Sequence, residues 1–131
     1  MLYTATAVTA ALSGLLILIL ALRVSQLRIQ HQVSLGDGGH APLLRAIRAH
    51  ANATEHTPIF LIMLLLLEQW APALAVWVLG LVFVFARLLF STALLRRSFS
   101  RSRQVGAGLT YLSALVVAVW LLIAGLTQAL A

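Results

Sequence analysis

Cysteine is absent from this 131-residue chain, and every one of its nine basic Lys/Arg positions is an arginine. Without cysteine there are no disulfides, no thiolate metal sites and no cysteine nucleophile, so any sulfur chemistry must use a thiol that a substrate brings. Charge is scarce as well. Only 9% of residues carry it, against about 25% in an ordinary soluble domain. So few charges cannot cover a water-facing shell, and with 62% apolar residues the chain reads as an integral membrane protein. The three acids are Asp37, Glu55 and Glu68, and the net charge is +6. So basic a balance can signal nucleic acid, but arginines in a membrane chain answer first to topology.

A span needs roughly 20 mostly apolar residues, and the sequence offers four: about 2–28, 42–68, 72–95 and 104–128. The expected fold is an all-α, four-transmembrane-helix bundle forming a single domain over 1–131. Ser34-Leu35-Gly36-Asp37-Gly38-Gly39 is too rich in glycine for helix and makes the first loop. Pro42 and Pro72 suit first helical turns, where a missing N–H costs nothing. Arg96 to Arg103 forms a short basic third loop. The first 22 residues lack the basic leader of a signal peptide, so the first span is expected to be retained.

Arg23, Arg28, Arg45 and Arg48 surround the first loop, and Arg96, Arg97, Arg101 and Arg103 occupy the third. The second loop and both termini have no arginine. The positive-inside rule then puts both basic loops in the cytoplasm and both termini outside. Topology accounts for most of the basic charge, and nucleic acid is not an expected partner.

Topology does not account for the second helix. Arg45, Arg48, Asn52, Glu55 and His56 follow one another at steps of 3, 4, 3 and 1, which lines them along one helical face. Glu55 lies about 15 Å along the axis from Arg45, roughly half the thickness of the hydrocarbon core. An unpaired acid there costs at least ~2.5 kcal/mol. Arg87 on the third helix reaches a similar depth, and a buried Glu55–Arg87 pair is expected. Pro58 cannot donate to the Thr54 carbonyl, so a kink or loosened turn is expected at Thr54–Thr57. Two readings of the seam stay open: a polar network that only specifies helix packing, or an anion site at the cytoplasmic end. Arginine forks grip carboxylates and a Glu holds an amine, a combination suited to a small zwitterionic peptide. The four histidines include no i,i+4 pair, and no metal site is expected. Ala107, Ala114, Ala118 and Gly125 form a small-residue stripe on the fourth helix, expected to pack closely.

Arg48-x-x-x-Asn52-x-x-Glu55-His56-x-Pro58-Ile59-Phe60, with Gly36-Asp37-Gly38-Gly39 before it and Phe85-Ala86-Arg87-Leu88 after it, resembles the MAPEG family. These are the membrane-associated proteins of eicosanoid and glutathione metabolism, and the chain is similar to a small bacterial member over nearly its whole length. The resemblance implies a homotrimer in the cell (inner) membrane, with glutathione as co-substrate held between subunits. It also implies a glutathione transferase or peroxidase acting on lipophilic electrophiles that arrive from the bilayer. By position, Arg28, Arg48, Asn52, Glu55, His56 and Arg87 fall on the binding set, and Arg101 on the arginine that activates the thiol. His56, Phe90 and Leu94 stand where the family carries tyrosines. The alternative is a non-catalytic trimer that binds another anionic metabolite or a lipid headgroup on the same arginines.

Overall fold

The computed structural model describes residues 3–97 and 99–130. Four helices follow in chain order: α1 Thr4–His31, α2 Ala41–Leu67, α3 Ala73–Arg96 and α4 Arg101–Ala129. Helices α1, α3 and α4 are each long and apolar enough to cross a bilayer. The 27 residues of α2 give it a length of about 40 Å, more than the ~30 Å hydrocarbon core. Its first half carries the polar seam, which lowers its hydropathy. The connections are short, so successive helices alternate in direction, and every pair packs together except α1 with α4. Helices α2 and α3 therefore form the centre, with α1 and α4 flanking them.

Chain chemistry sets the breaks. Gly36, Gly38 and Gly39 all adopt positive φ, a conformation that costs glycine no Cβ clash. At Gly38 a Cβ would also sit 2.6 Å from Val33 Cγ2. Pro42 lies in the first turn of α2, and α2 continues unbroken through Pro58. Thr54 and Thr57 turn their hydroxyls back onto carbonyls of the preceding turn, Ala51 and Ala53.

The core has two main parts. Away from the basic loops, Phe60, Leu64, Leu67, Val76, Phe83 and Val117 pack together, with the Phe60 and Phe83 rings stacked at 3.8 Å. Toward the basic loops, Leu16, Leu20, Ala49, Ala53, Phe90 and Leu94 form the second cluster. The inward edge of α4 is Gly106, Thr110, Ser113 and Val117, set off from the stripe expected from sequence. Ala107 and Ala114 border the core clusters, whereas Ala118 and Gly125 line an outer apolar groove beside Met63. Gly106 explains the offset. A Cβ there would lie 2.7 Å from the Phe90 backbone nitrogen and 2.9 Å from the Ala86 oxygen, so its absence lets α4 approach α3 nearly backbone to backbone. Thr110 and Ser113 tolerate burial because each hydroxyl donates to a carbonyl of its own helix.

Glu68 ties the far end together. The start of α1 has no side-chain cap of its own. Instead the Glu68 carboxylate accepts from the backbone N–H groups of Ala5 and Thr6, both at 3.0 Å. An anion at a helix N-terminus satisfies orphan donors and meets the positive end of the dipole. Glu68→Ala is expected to destabilise the detergent-solubilised protein by about 1–2 kcal/mol. Glu68→Gln should cost less, since its amide oxygen keeps one acceptor. Thermal unfolding of the two variants checks the order, and equal losses would remove the cap as the cause.

Candidate binding crevice

The polar stripe of α2 faces α3 and α4 at one edge and the outside of the bundle at the other. Asn52 is half-buried and Arg87 is 2% exposed. The Arg87 guanidinium donates from Nη2 to Asn52 Oδ1 at 2.6 Å and from Nη1 to Thr110 Oγ1 at 3.5 Å. The pair expected from sequence, Glu55–Arg87, does not form. Matching depth was insufficient: Glu55 sits three residues beyond Asn52, about 60° around the helix, and this turns it outward to an exposed position. Arg87 meets the neutral amide instead.

Phe90 lies one turn after Arg87 and is buried. Two guanidinium groups approach its ring, Arg87 at 5.0 Å and Arg103 at 5.6 Å from the centroid, within reach of a cation–π contact. Arg103 is held there by the start of α4, where the Ser100 hydroxyl accepts from the Arg103 backbone N–H at 3.2 Å. Gly106 brings this turn close to α3.

Two cavities meet over this ring. One, of about 230 Å³, is lined by Leu44, Arg45, Arg48, Asn52, Phe90, Leu94 and Arg103. The other, of about 270 Å³, is lined by Asn52, Phe90, Phe99, Ser100, Arg103, Gln104, Ala107 and Tyr111. Each is smaller than the roughly 300 Å³ at which ligand pockets begin. They share Asn52, Phe90 and Arg103, so they form one crevice between α2 and α4 with α3 as its floor. One arm is basic. The other is aromatic and polar, and it includes the first turn of α4, whose dipole presents a positive end.

Among the residues singled out from sequence, Arg48 and Asn52 line the crevice and Arg87 braces Asn52 from behind. His56 lies beside it, its ring edge-on to Tyr111 at 5.7 Å. Glu55 stands on the outer surface. Arg28 is engaged elsewhere: its Nη1 donates to the carbonyls of Ser34 and Gly36 at 3.1 and 3.0 Å, stapling the glycine loop to the end of α1. Arg101 is exposed on the first turn of α4 and lines neither arm. Arg103 and Tyr111 were not singled out. Their signal was the i, i+4, i+8 spacing of Arg103, Ala107 and Tyr111, which places all three on one face of α4. Among the described residues, no three His, Asp or Glu side chains gather as metal ligands.

Fold and crevice together define a class: an integral membrane protein of four helices with a basic, partly aromatic crevice at one end of the bundle. The sequence comparisons make this specific. The MAPEG family model matches residues 6–123, and the chain belongs to the MAPEG family. Two proteins named Inner membrane protein YecN, from Escherichia coli strain K12 and from an O6:H1 strain, are each 35% identical to it over 113 residues. The matched stretch covers 86% of this chain and 86% of each relative.

Proposed function

We propose that the chain is an inner-membrane, glutathione-dependent transferase or peroxidase that acts on lipophilic electrophiles. The observation carrying this reading is the two-armed crevice joined at Asn52, Phe90 and Arg103. Arg45 and Arg48 supply guanidinium forks for the carboxylates of the tripeptide. Arg103, at the junction and at a helix N-terminus, is the cation next to the thiol. A guanidinium and a helix dipole both favour the thiolate over the thiol, with the proton passing to water. The thiolate then forms a sulfur–carbon bond as the electrophile's leaving group departs with its electron pair. Where the electrophile is a strained ring or an activated double bond, that ring or π bond breaks instead, and the oxygen or carbon left with the electron pair takes a proton from water. Phe99, Tyr111 and the apolar surface of α4 receive the lipophilic partner, and the rate gain comes from bringing two phases together in one orientation.

Glu55 supports an oligomer. An exposed acid at half-depth is unstable against lipid, and a second copy covering that surface would supply its partner. A homotrimer with glutathione between subunits meets this requirement. In the proposed topology the arginine-rich end faces the cytoplasm, as the positive-inside rule favours.

The test is an ultraviolet difference titration of the solubilised protein with glutathione at pH 7. A saturable thiolate absorbance is the expected result. A flat trace would overturn the catalytic reading in favour of a trimer that binds another anion, an alternative supported by Phe90 and Leu94, which offer carbon rather than hydroxyl to the ligand.

A further inference from the structure

A second concavity opens at the arginine-rich end on a different face of α3. It has a volume of about 200 Å³ and is lined by Leu89, Thr92, Ala93, Arg96, Arg97, Ser100 and Ser102. Its α3 residues are Leu89, Thr92, Ala93 and Arg96, whereas those of the crevice are Phe90 and Leu94. Only Ser100 borders both. The lining contains two exposed guanidinium groups, three hydroxyls and no acid. The Ser100 oxygen accepts from the Arg103 N–H, which leaves its own O–H to donate into the cavity.

The surface leading to this cavity is equally ordered. Leu81, Phe85, Leu88, Thr92 and Arg96 follow at steps of 4, 3, 4 and 4, all exposed, so they form a single outward stripe along α3. Three apolar side chains, 47%, 58% and 43% exposed, give way to a hydroxyl and then to a guanidinium. That is the polarity order of a phospholipid read from acyl chain to headgroup.

We propose that this cavity holds the headgroup phosphate of an anionic phospholipid, with an acyl chain lying on Leu81, Phe85 and Leu88. Guanidinium forks match phosphate oxygens in geometry as well as charge, and basic pockets at helix ends lie at headgroup depth. A free phosphate ion would satisfy Arg96 and Arg97 but leave Leu89 and the exposed stripe below it without a partner. The orienting role of these arginines is compatible with this site, since both roles draw on the same leaflet.

Native mass spectrometry of the protein extracted from mixed phosphatidylglycerol–phosphatidylcholine vesicles tests the site. The wild type is expected to retain phosphatidylglycerol in preference to phosphatidylcholine. Replacing both arginines, Arg96→Gln with Arg97→Gln, should reduce that retention roughly thirtyfold, while Arg23→Gln, exposed at the same end, should leave it unchanged. Ser102→Asp provides a variant that keeps its fold, since an acid in the first turn favours a helix; placing a carboxylate in the cavity, it too should lose the lipid. Three results would overturn the proposal. Equal loss in Arg23→Gln would indicate bulk charge alone, and loss in Arg48→Gln but not in the Arg96, Arg97 and Ser102 variants would put the lipid in the crevice. Displacement of the lipid by inorganic phosphate at equal concentration would make this a soluble-anion site.

Discussion

Arg103→Ala is expected to abolish the thiolate absorbance of bound glutathione while leaving the protein folded. A free thiol has a pKa near 8.5 and is only about a few per cent ionised at pH 7. The Arg103 guanidinium, at the junction of both arms and above the Phe90 ring, is the group placed to shift that balance. Its removal should cut the absorbance more than tenfold at pH 7, and the signal should return as pH rises past the free thiol's pKa. Loss of one positioned donor in comparable sites lowers kcat by about 100- to 1000-fold, and a similar loss is expected with an activated electrophile. Arg101→Ala should leave the amplitude intact, because that side chain lines neither arm. Arg48→Ala should move the midpoint of the titration and not its plateau, as expected for uniform binding. Full amplitude in Arg103→Ala together with loss in Arg101→Ala would return the thiolate role to Arg101.

The second large effect concerns the brace behind the crevice. Arg87→Leu removes a charged donor from Asn52 Oδ1, half-buried at the crevice, and from the buried Thr110 Oγ1. A hydrogen bond to a charged group contributes about 1.5–3 kcal/mol, and a buried acceptor left without a donor adds its desolvation cost. Arg87→Leu should therefore destabilise the solubilised protein by about 2–4 kcal/mol. Combining it with Asn52→Leu should recover most of the loss, since the Asn52 acceptor goes with its donor and Thr110, the one remaining former partner, still donates to the Gly106 carbonyl. The readout is a double-mutant cycle in thermal unfolding; strictly additive single effects would show that the two side chains are not coupled. On the proposed function, the doubly substituted protein should fold yet not bind glutathione, which separates the brace's structural role from the place of Asn52 in the crevice.

Sequence chemistry alone reached the membrane class, the helix count, the breaks and the family. Scarce charge, long apolar runs, clustered glycines and prolines in first helical turns are local facts, and each acts through backbone or solvent without a distant partner. The polar face of α2 was equally legible, because a 3.6-residue period depends on one helix only. Pairing across helices was not. Depth along the axis suggested Glu55 for Arg87, but rotation about the axis decides which side chain faces α3, and it gave Asn52. Arg28 was expected to grip a ligand; the fold of the glycine loop brings the carbonyls of Ser34 and Gly36 within reach of its Nη1, a contact that no sequence pattern shows. From sequence the thiol-activating role fell on Arg101, and Arg103 was not considered for it; the Ser100 cap and the close approach at Gly106 set the rotation that turns Arg103 over Phe90. In the sequence Glu68 is only one of three acids, and it became the cap of α1 only when the chain brought Ala5 beside it. The sequence by itself determined which segments form the four helices and which faces are polar, because solvent and helical period act within a segment. Tertiary structure decided which of those polar groups meet, because contact between helices depends on their rotation and closeness, and these are set by small residues and caps far apart in the chain.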